Sequence, residues 1–346
     1  KSGQIMEEWT DFGQLQELLG SMTGKPGVSF SDLVDMLQSG DFAGLKNAAA
    51  DFASEWLLGE NFLNLSDFAG ILILVLLFAL LRAMGQAFEN KSITVFSGVV
   101  IHLLLITQLT VLFQSFRGQA KEYLENGITF TSTLFPVLAA ASASSGDTIS
   151  AAGIYVSAVS VSSLVSRLCL YILLPGVSIF LVISLLDSIM QESLFQGMTG
   201  FLKKGLGFLM KGSVAAVTGL QVVQMMVLPR ADSVRQQTLM KTAAMIPGAG
   251  GVAEAAAAVL WESGSLLKGS IGAAGMCCVL FICIFPVLRI ALVSVVYRIF
   301  SAIMMPAADK NICGCLSAFA ESLEYLVKIT CMSAIINLMM IVAASW

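Results

Sequence analysis

The sequence predicts an all-α, polytopic helical membrane protein with eight spans, alternatively ten, and short amphipathic helices at the N-terminus. Three observations carry this. Of 346 residues, 57% are apolar and only 12% charged, with mean hydropathy +0.85, against roughly 25% charged in a soluble domain. Apolar runs of bilayer length recur along the chain. Eleven of the 23 acidic residues crowd into the first 67 positions, beside only Lys1, Lys25 and Lys46.

Residues 1–66 read as an acidic, extracytoplasmic region of amphipathic helices. Trp9, Phe12, Leu15, Leu18 and Leu19 recur at helical spacing. Ser31 can cap a helix carrying Leu33, Val34 and Leu37. A third stripe runs through Leu45, Phe52, Trp56, Leu57 and Phe62. Such helices either lie on the membrane or a partner, or pack against each other. Few lysines suit the translocated side of a membrane. Lys1 follows either leader removal or a cut made for another reason.

Residues 67–346 read as the transmembrane domain. Phe68 to Ala83 is the first strong membrane helix, and Ile93 to Phe116 the second, with His102 and Gln108 inside it. Arg117 to Gly127 reads as a polar connector. A short Ser/Ala-rich segment follows at 128–145, then helices at about 151–172 and 173–190, separated by a break at Pro175. Gln191 to Lys211 suits an interfacial helix. Ser213 to Leu228 is short and apolar, and Pro229 to Lys241 is a connector. A second small-residue segment spans 242–261. Helices at about 269–287 and 288–305 flank Pro286, and the last helix covers Leu326 to Ala344.

The element order suggests an internal duplication with halves at about 93–212 and 213–346. Pro136 and Pro175 are 39 residues apart, as are Pro247 and Pro286, and the offset between the pairs is 111. At that offset Thr131 meets Thr242, Gly153 meets Gly264 and Leu181 meets Leu292. Short Gly/Ala/Pro-interrupted segments at matching positions mark the pathway in transporters built from repeats. Segments 128–145 and 242–261 fit that description, with Pro136, Pro247, Gly250 and Glu254 among their residues. Ordinary close packing of small residues is the other reading. With re-entrant segments there are eight spans and inverted halves. With crossing segments there are ten spans and parallel halves.

Ionisable groups in apolar surroundings are the candidate pathway or gating residues. His102 is the chain's one imidazole, suited either to a pH-sensitive gate or to a helix–helix hydrogen bond. Arg167 and Asp187 flank Pro175. A turn there lets them pair, and otherwise each snorkels to its own surface. Arg298 lies beyond Pro286, at a surface or facing a cavity.

Catalysis finds no support. One histidine excludes HExxH, and no phosphate loop or paired aspartate is present. The expectation is therefore no enzyme, no cofactor and no metal. Seven cysteines in or beside apolar runs read as thiols. No basic stripe interleaved with aromatics suggests nucleic acid.

Lys241-Thr-Ala-Ala, then IPGAGGVAEAAAAVLWESGSLLKGSIGAAGM, then Phe285-Pro286-Val-Leu-Arg289 resembles the stage III sporulation protein AE family of endospore-forming bacteria. Leu266-Leu267-Lys268 leading to Gly272, and Ala307-Ala-Asp309 after Pro306, add to the likeness, which covers Leu65 to the C-terminus. The resemblance implies a multi-pass core of a channel or export-like complex joining mother cell and forespore. It would sit in the mother-cell-derived outer forespore membrane. Implied partners are proteins of the same complex, including a ring-forming protein and an ATPase, with homo-oligomerisation expected. A permease for a small solute and a non-conducting scaffold are the competing functions.

Overall fold

The computed structural model describes residues 30–39, 41, 44, 46–47, 65–87, 91–144, 148–189, 195–243, 250–305 and 310–345. All regular structure among them is helical. In chain order the helices are α1 (Phe30–Ser39), α2 (Leu65–Ala87), α3 (Lys91–Ser144) and α4 (Thr148–Leu168). A π-helical turn, Cys169–Leu173, joins α4 to α5 (Leu174–Ile189). Then come α6 (Gln196–Ala243), α7 (Gly250–Met304) and α8 (Lys310–Ser345). The chain is a multi-pass helical membrane protein. Among the described residues, five stretches are long and apolar enough to cross a bilayer: Gly98–Ala141, Val156–Ser188, Gln196–Val223, Gly269–Met304 and Asn311–Ser345. Within α2 the described apolar run is Ala69–Phe78.

The expected breaks at proline are absent. Pro136 lies inside α3 and Pro286 inside α7. Pro175 is the second residue of α5, and the helix passes it through the π-turn. Proline removes one N–H and presses its ring on the carbonyl four residues back. Here that carbonyl belongs to Tyr171, inside the widened turn, where the Leu174 N–H bonds to the Cys169 carbonyl instead. In a bilayer a chain reversal exposes several unsatisfied backbone groups, so a local adjustment costs less than a break. The Arg117–Gly127 connector is likewise helical, inside α3, with a Lys121–Glu125 pair at i,i+4. Residues 128–144 continue α3 rather than forming a separate segment, and 229–241 continue α6.

At 1.5 Å per residue, the 54-residue α3 and 55-residue α7 are each about 80 Å long. A bilayer core is about 30 Å thick, so both stand well clear of it.

Helix α8 is the most enclosed and touches α3, α4, α5, α6 and α7. It carries the fully buried Leu316, Phe319, Leu323, Leu326 and Ile341. Its partner α7 lies antiparallel, fastened by hydrogen bonds from Ser294 to the Ala320 carbonyl (2.8 Å) and from Ser301 to the Cys313 carbonyl (2.9 Å). At Gly275 of α7, an added Cβ would lie 2.6 Å from the Leu134 side chain of α3. Glycine sets that helix separation. Helix α1 buries Phe30, Leu33 and Val34 and packs against α7, so its apolar stripe covers the bundle itself. The seven cysteines form no disulfide.

Candidate functional site

Three helices bring charge together along the flank of the apolar bundle, and a fourth adds an aromatic ring. Lys203 of α6 reaches Glu321 of α8 at 2.6 Å. One α-helical turn along α8, Glu324 pairs with Arg298 of α7 at 2.6 Å and with Lys328 at 3.8 Å. Aromatic rings join the two pairs. Phe180 of α5 meets Tyr325 edge-on at 5.3 Å. The Lys203 ammonium lies 5.5 Å from the Phe180 ring centre, and that of Lys328 lies 4.9 Å from the Tyr325 ring centre. All these residues sit on helices that also carry an apolar stretch long enough to cross a bilayer. Glu321-x-x-Glu324-x-x-x-Lys328 repeats at helical spacing, so one face of α8 carries all three.

The carboxylates are about 30% exposed, and their cations 41–59%. The seam therefore lies along the bundle's flank, half enclosed. Taking a lone carboxylate out of water is costly, and a cation beside it offsets part of that cost. The seam suits holding two hairpins, α5/α6 and α7/α8, against each other through polar groups that can exchange partners. No group of three metal-ligating side chains occurs among the described residues.

A second, uncharged seam is buried. Ser162 of α4 donates to Asn337 Oδ1 of α8 at 2.8 Å, and Thr131 of α3 lies 3.4 Å from the Ser162 hydroxyl. Thr131 also donates to the Gly127 carbonyl at 2.7 Å. All three side chains are almost fully buried. Short polar side chains between membrane helices act as interhelical fasteners.

The expected pathway residues scatter. His102 is buried on α3, its Nδ1 2.8 Å from the Gly98 carbonyl and its ring edge-on to Phe78 of α2 at 5.9 Å. That carbonyl makes Nδ1 the protonated nitrogen, leaving buried Nε2 as an acceptor without a partner among the described residues. Arg167 is exposed. Asp187 caps the next helix by accepting the Phe195 N–H at 3.1 Å. These two residues share one continuous helical rod, 20 residues apart, or about 30 Å. They do not pair. Pro136 is exposed, and Pro175 and Pro286 are half-buried. Pro247 lies outside the described residues. Gly250 opens α7 and Glu254 lies one turn on, but the Glu254 side chain lies outside the described residues.

Arg298 is the one expected residue that joins the charged seam. Glu321, Glu324, Lys203 and Lys328 escaped the sequence reading, as did Thr131, Ser162 and Asn337. The i, i+3, i+7 spacing of charges in the last helix was the available signal.

A model of the stage III sporulation protein AE family matches residues 28–345. The chain is 22% identical over 312 residues to Stage III sporulation protein AE of Bacillus subtilis (strain 168), covering 86% of this chain and 77% of that protein. No solved structure matches it. The matched region takes in every described helix, including all the residues of both seams. The chain belongs to the stage III sporulation protein AE family.

Proposed function

We propose that the chain is the membrane-embedded core of a channel or export-like complex joining mother cell and forespore. On this reading it is not an enzyme. It sits in the mother-cell-derived outer forespore membrane with its acidic N-terminal region extracytoplasmic. There it works with other proteins of the complex, including a ring-forming protein and an ATPase. Family membership supports the sporulation setting. The observation that carries the conducting role is the charged seam, Lys203–Glu321 and Arg298–Glu324–Lys328, which links three helices that each carry a bilayer-length apolar stretch. Ionisable groups held between membrane helices mark pathways and gates.

The test is flux of small ions and solutes through liposomes carrying the full chain, alone and with its complex partners. Conduction that changes at least several-fold in Glu321→Gln or Glu324→Gln supports the channel. No flux under any condition leaves a scaffold that anchors partners. Saturable uptake of one solute by a monomer points to a permease.

A further inference from the structure

The uncharged seam of Thr131, Ser162 and Asn337 has a fourth polar side chain at its height. Gln221 of α6 is 6% exposed, and its buried Nε2 has no hydrogen-bond partner among the described residues. The buried residues described on α6 are Thr199, Leu206, Val217 and Gln221. At 3.6 residues per turn they fall within about 60° of one another, on one stripe. Leu206 turns that stripe towards the α4/α5 rod, for its side chain reaches to 3.0 Å from where a Cβ on Gly176 would stand.

The height of Gln221 follows from two independent registers. Helices α5 and α6 run antiparallel, with the Phe195 N–H on Asp187 and Leu206 against Gly176, equal steps along both helices. Continued fifteen residues past Leu206, this register sets Gln221 level with about residue 161, beside Ser162. Helix α5 is also antiparallel to α8, through Ser188–Cys315 and Phe180–Tyr325, so α6 runs parallel to α8. Lys203 meets Glu321. Eighteen residues on, Gln221 is level with about residue 339, half a turn from Asn337. Helix α6 packs on α4, α5 and α8, and α5 flanks only its first turns, so α4 and α8 cover Gln221.

The layer lies at the centre of apolar sequence. The apolar runs 151–172, 213–228 and 326–344 are centred near Ser162, Gln221 and residue 335. No charged residue stands within four positions of Thr131, Ser162, Gln221 or Asn337. A bilayer holds the centres of such runs near its midplane. An amide N–H without a partner is costly there. Beside Gln221, Asn337 Oδ1 accepts the Ser162 proton and keeps a second lone pair, and the Ser162 oxygen also has accepting capacity. Thr131, Ser162 and Gly127, which lies against Asn337, are small residues. A donor facing two acceptors is the setting in which a buried water makes its two to four hydrogen bonds.

We propose that this layer is a binding site for water at the bilayer midplane, held by Gln221, Ser162 and Asn337. The water accepts from Gln221 Nε2 and donates to the Ser162 hydroxyl and to Asn337 Oδ1. Asn337 lies 13 residues beyond Glu324 on α8, about 20 Å, so the site is separate from the charged seam. It places one hydrogen-bonding station where the surrounding runs are apolar. It stands whether or not the chain conducts.

The test is water-edited solid-state NMR of the full chain in liposomes, with glutamine side chains labelled with nitrogen-15. The Gln221 signal is the one lost in Gln221→Met, and Gln221→Asn, which keeps an amide, identifies it equally. Water protons are expected to polarise that side chain in wild type, and at least two-fold more weakly in Ser162→Ala. Polarisation from lipid acyl chains alone, or none while exposed glutamines respond, overturns the site. So does a Gln221→Met variant that unfolds later than wild type, which is the mark of a dry, unpaired donor removed. A wild type that holds the water but passes no ion or solute overturns the channel reading and keeps the site. A conducting chain with a dry Gln221 does the reverse.

Discussion

The Ser162 hydroxyl donates a 2.8 Å hydrogen bond to Oδ1 of Asn337, 175 residues further along the chain. Both side chains are 2% exposed. The contact fastens α4 to α8 at the level where Thr131 of α3 also arrives. The bond's energy is modest in a membrane, where the unfolded chain also finds partners. Its geometric effect is larger, because it sets the register of three helices at once.

Ser162→Ala removes the donor and leaves the Asn337 carbonyl oxygen buried with one partner fewer. The expected loss is about 1 kcal/mol, read as a lower unfolding midpoint in detergent. A loss of similar size in Asn337→Leu, with no further loss in the double variant, would show that the two act as one unit. Full additivity would sink the account.

Lys203 and Glu321 should show measurable coupling. The pair is partly exposed, so a coupling of up to about 1 kcal/mol is expected. Lys203→Met, Glu321→Gln and the double variant complete the cycle in equilibrium unfolding. A coupling indistinguishable from zero would mean that the contact adds nothing to stability.

Gly275→Val should destabilise by about 1–3 kcal/mol through overpacking, because the added atoms enter the space of Leu134. Gly200→Val, at a glycine with open space, controls for helix propensity. Equal losses in both variants would argue against close packing of α7 on α3.

Cysteines placed at Arg167 and Asp187 should resist bridging by any reagent shorter than about 20 Å. One helical rod holds them about 30 Å apart. Efficient cross-linking by a short reagent would restore the broken helix at Pro175 and undo the continuous path through the π-turn.

His102→Phe should fold with a stability change within about 1 kcal/mol. The ring keeps its edge contact with Phe78, the Gly98 carbonyl loses only a local donor, and an unpartnered buried acceptor disappears. Flux measured in the same variant isolates any gating role. A fall in conduction with the fold intact assigns gating to His102, and unchanged conduction removes it from the pathway.

The helices were legible in the sequence, but their ends were not. Apolar runs such as 68–83 and 326–344 announced membrane helices, because the demand for apolar surface is met residue by residue. Pro175 and Pro286 announced breaks that do not occur. A proline's cost in isolation is local, whereas the cost of exposing backbone inside a bilayer depends on what surrounds it. Of the candidate site, Arg298 was singled out and its partner Glu324 was not. Glu324 fell just ahead of the last expected helix, Leu326 to Ala344, and nothing in α8 alone says that α7 lies against that face.

The sequence by itself determined the membrane class, the acidic character of the N-terminal region, the lack of recognisable catalytic signatures and the resemblance to the family that the chain proved to match. These follow from composition and from short blocks of residues, which need no folding to exist. Only the tertiary structure decided which charges meet. Lys203 and Glu321 are 118 residues apart, Ser162 and Asn337 175, and Thr131 and Ser162 31. Each pairing depends on the order and register in which long helices pack, set by side-chain shape along their whole length rather than by the paired residues.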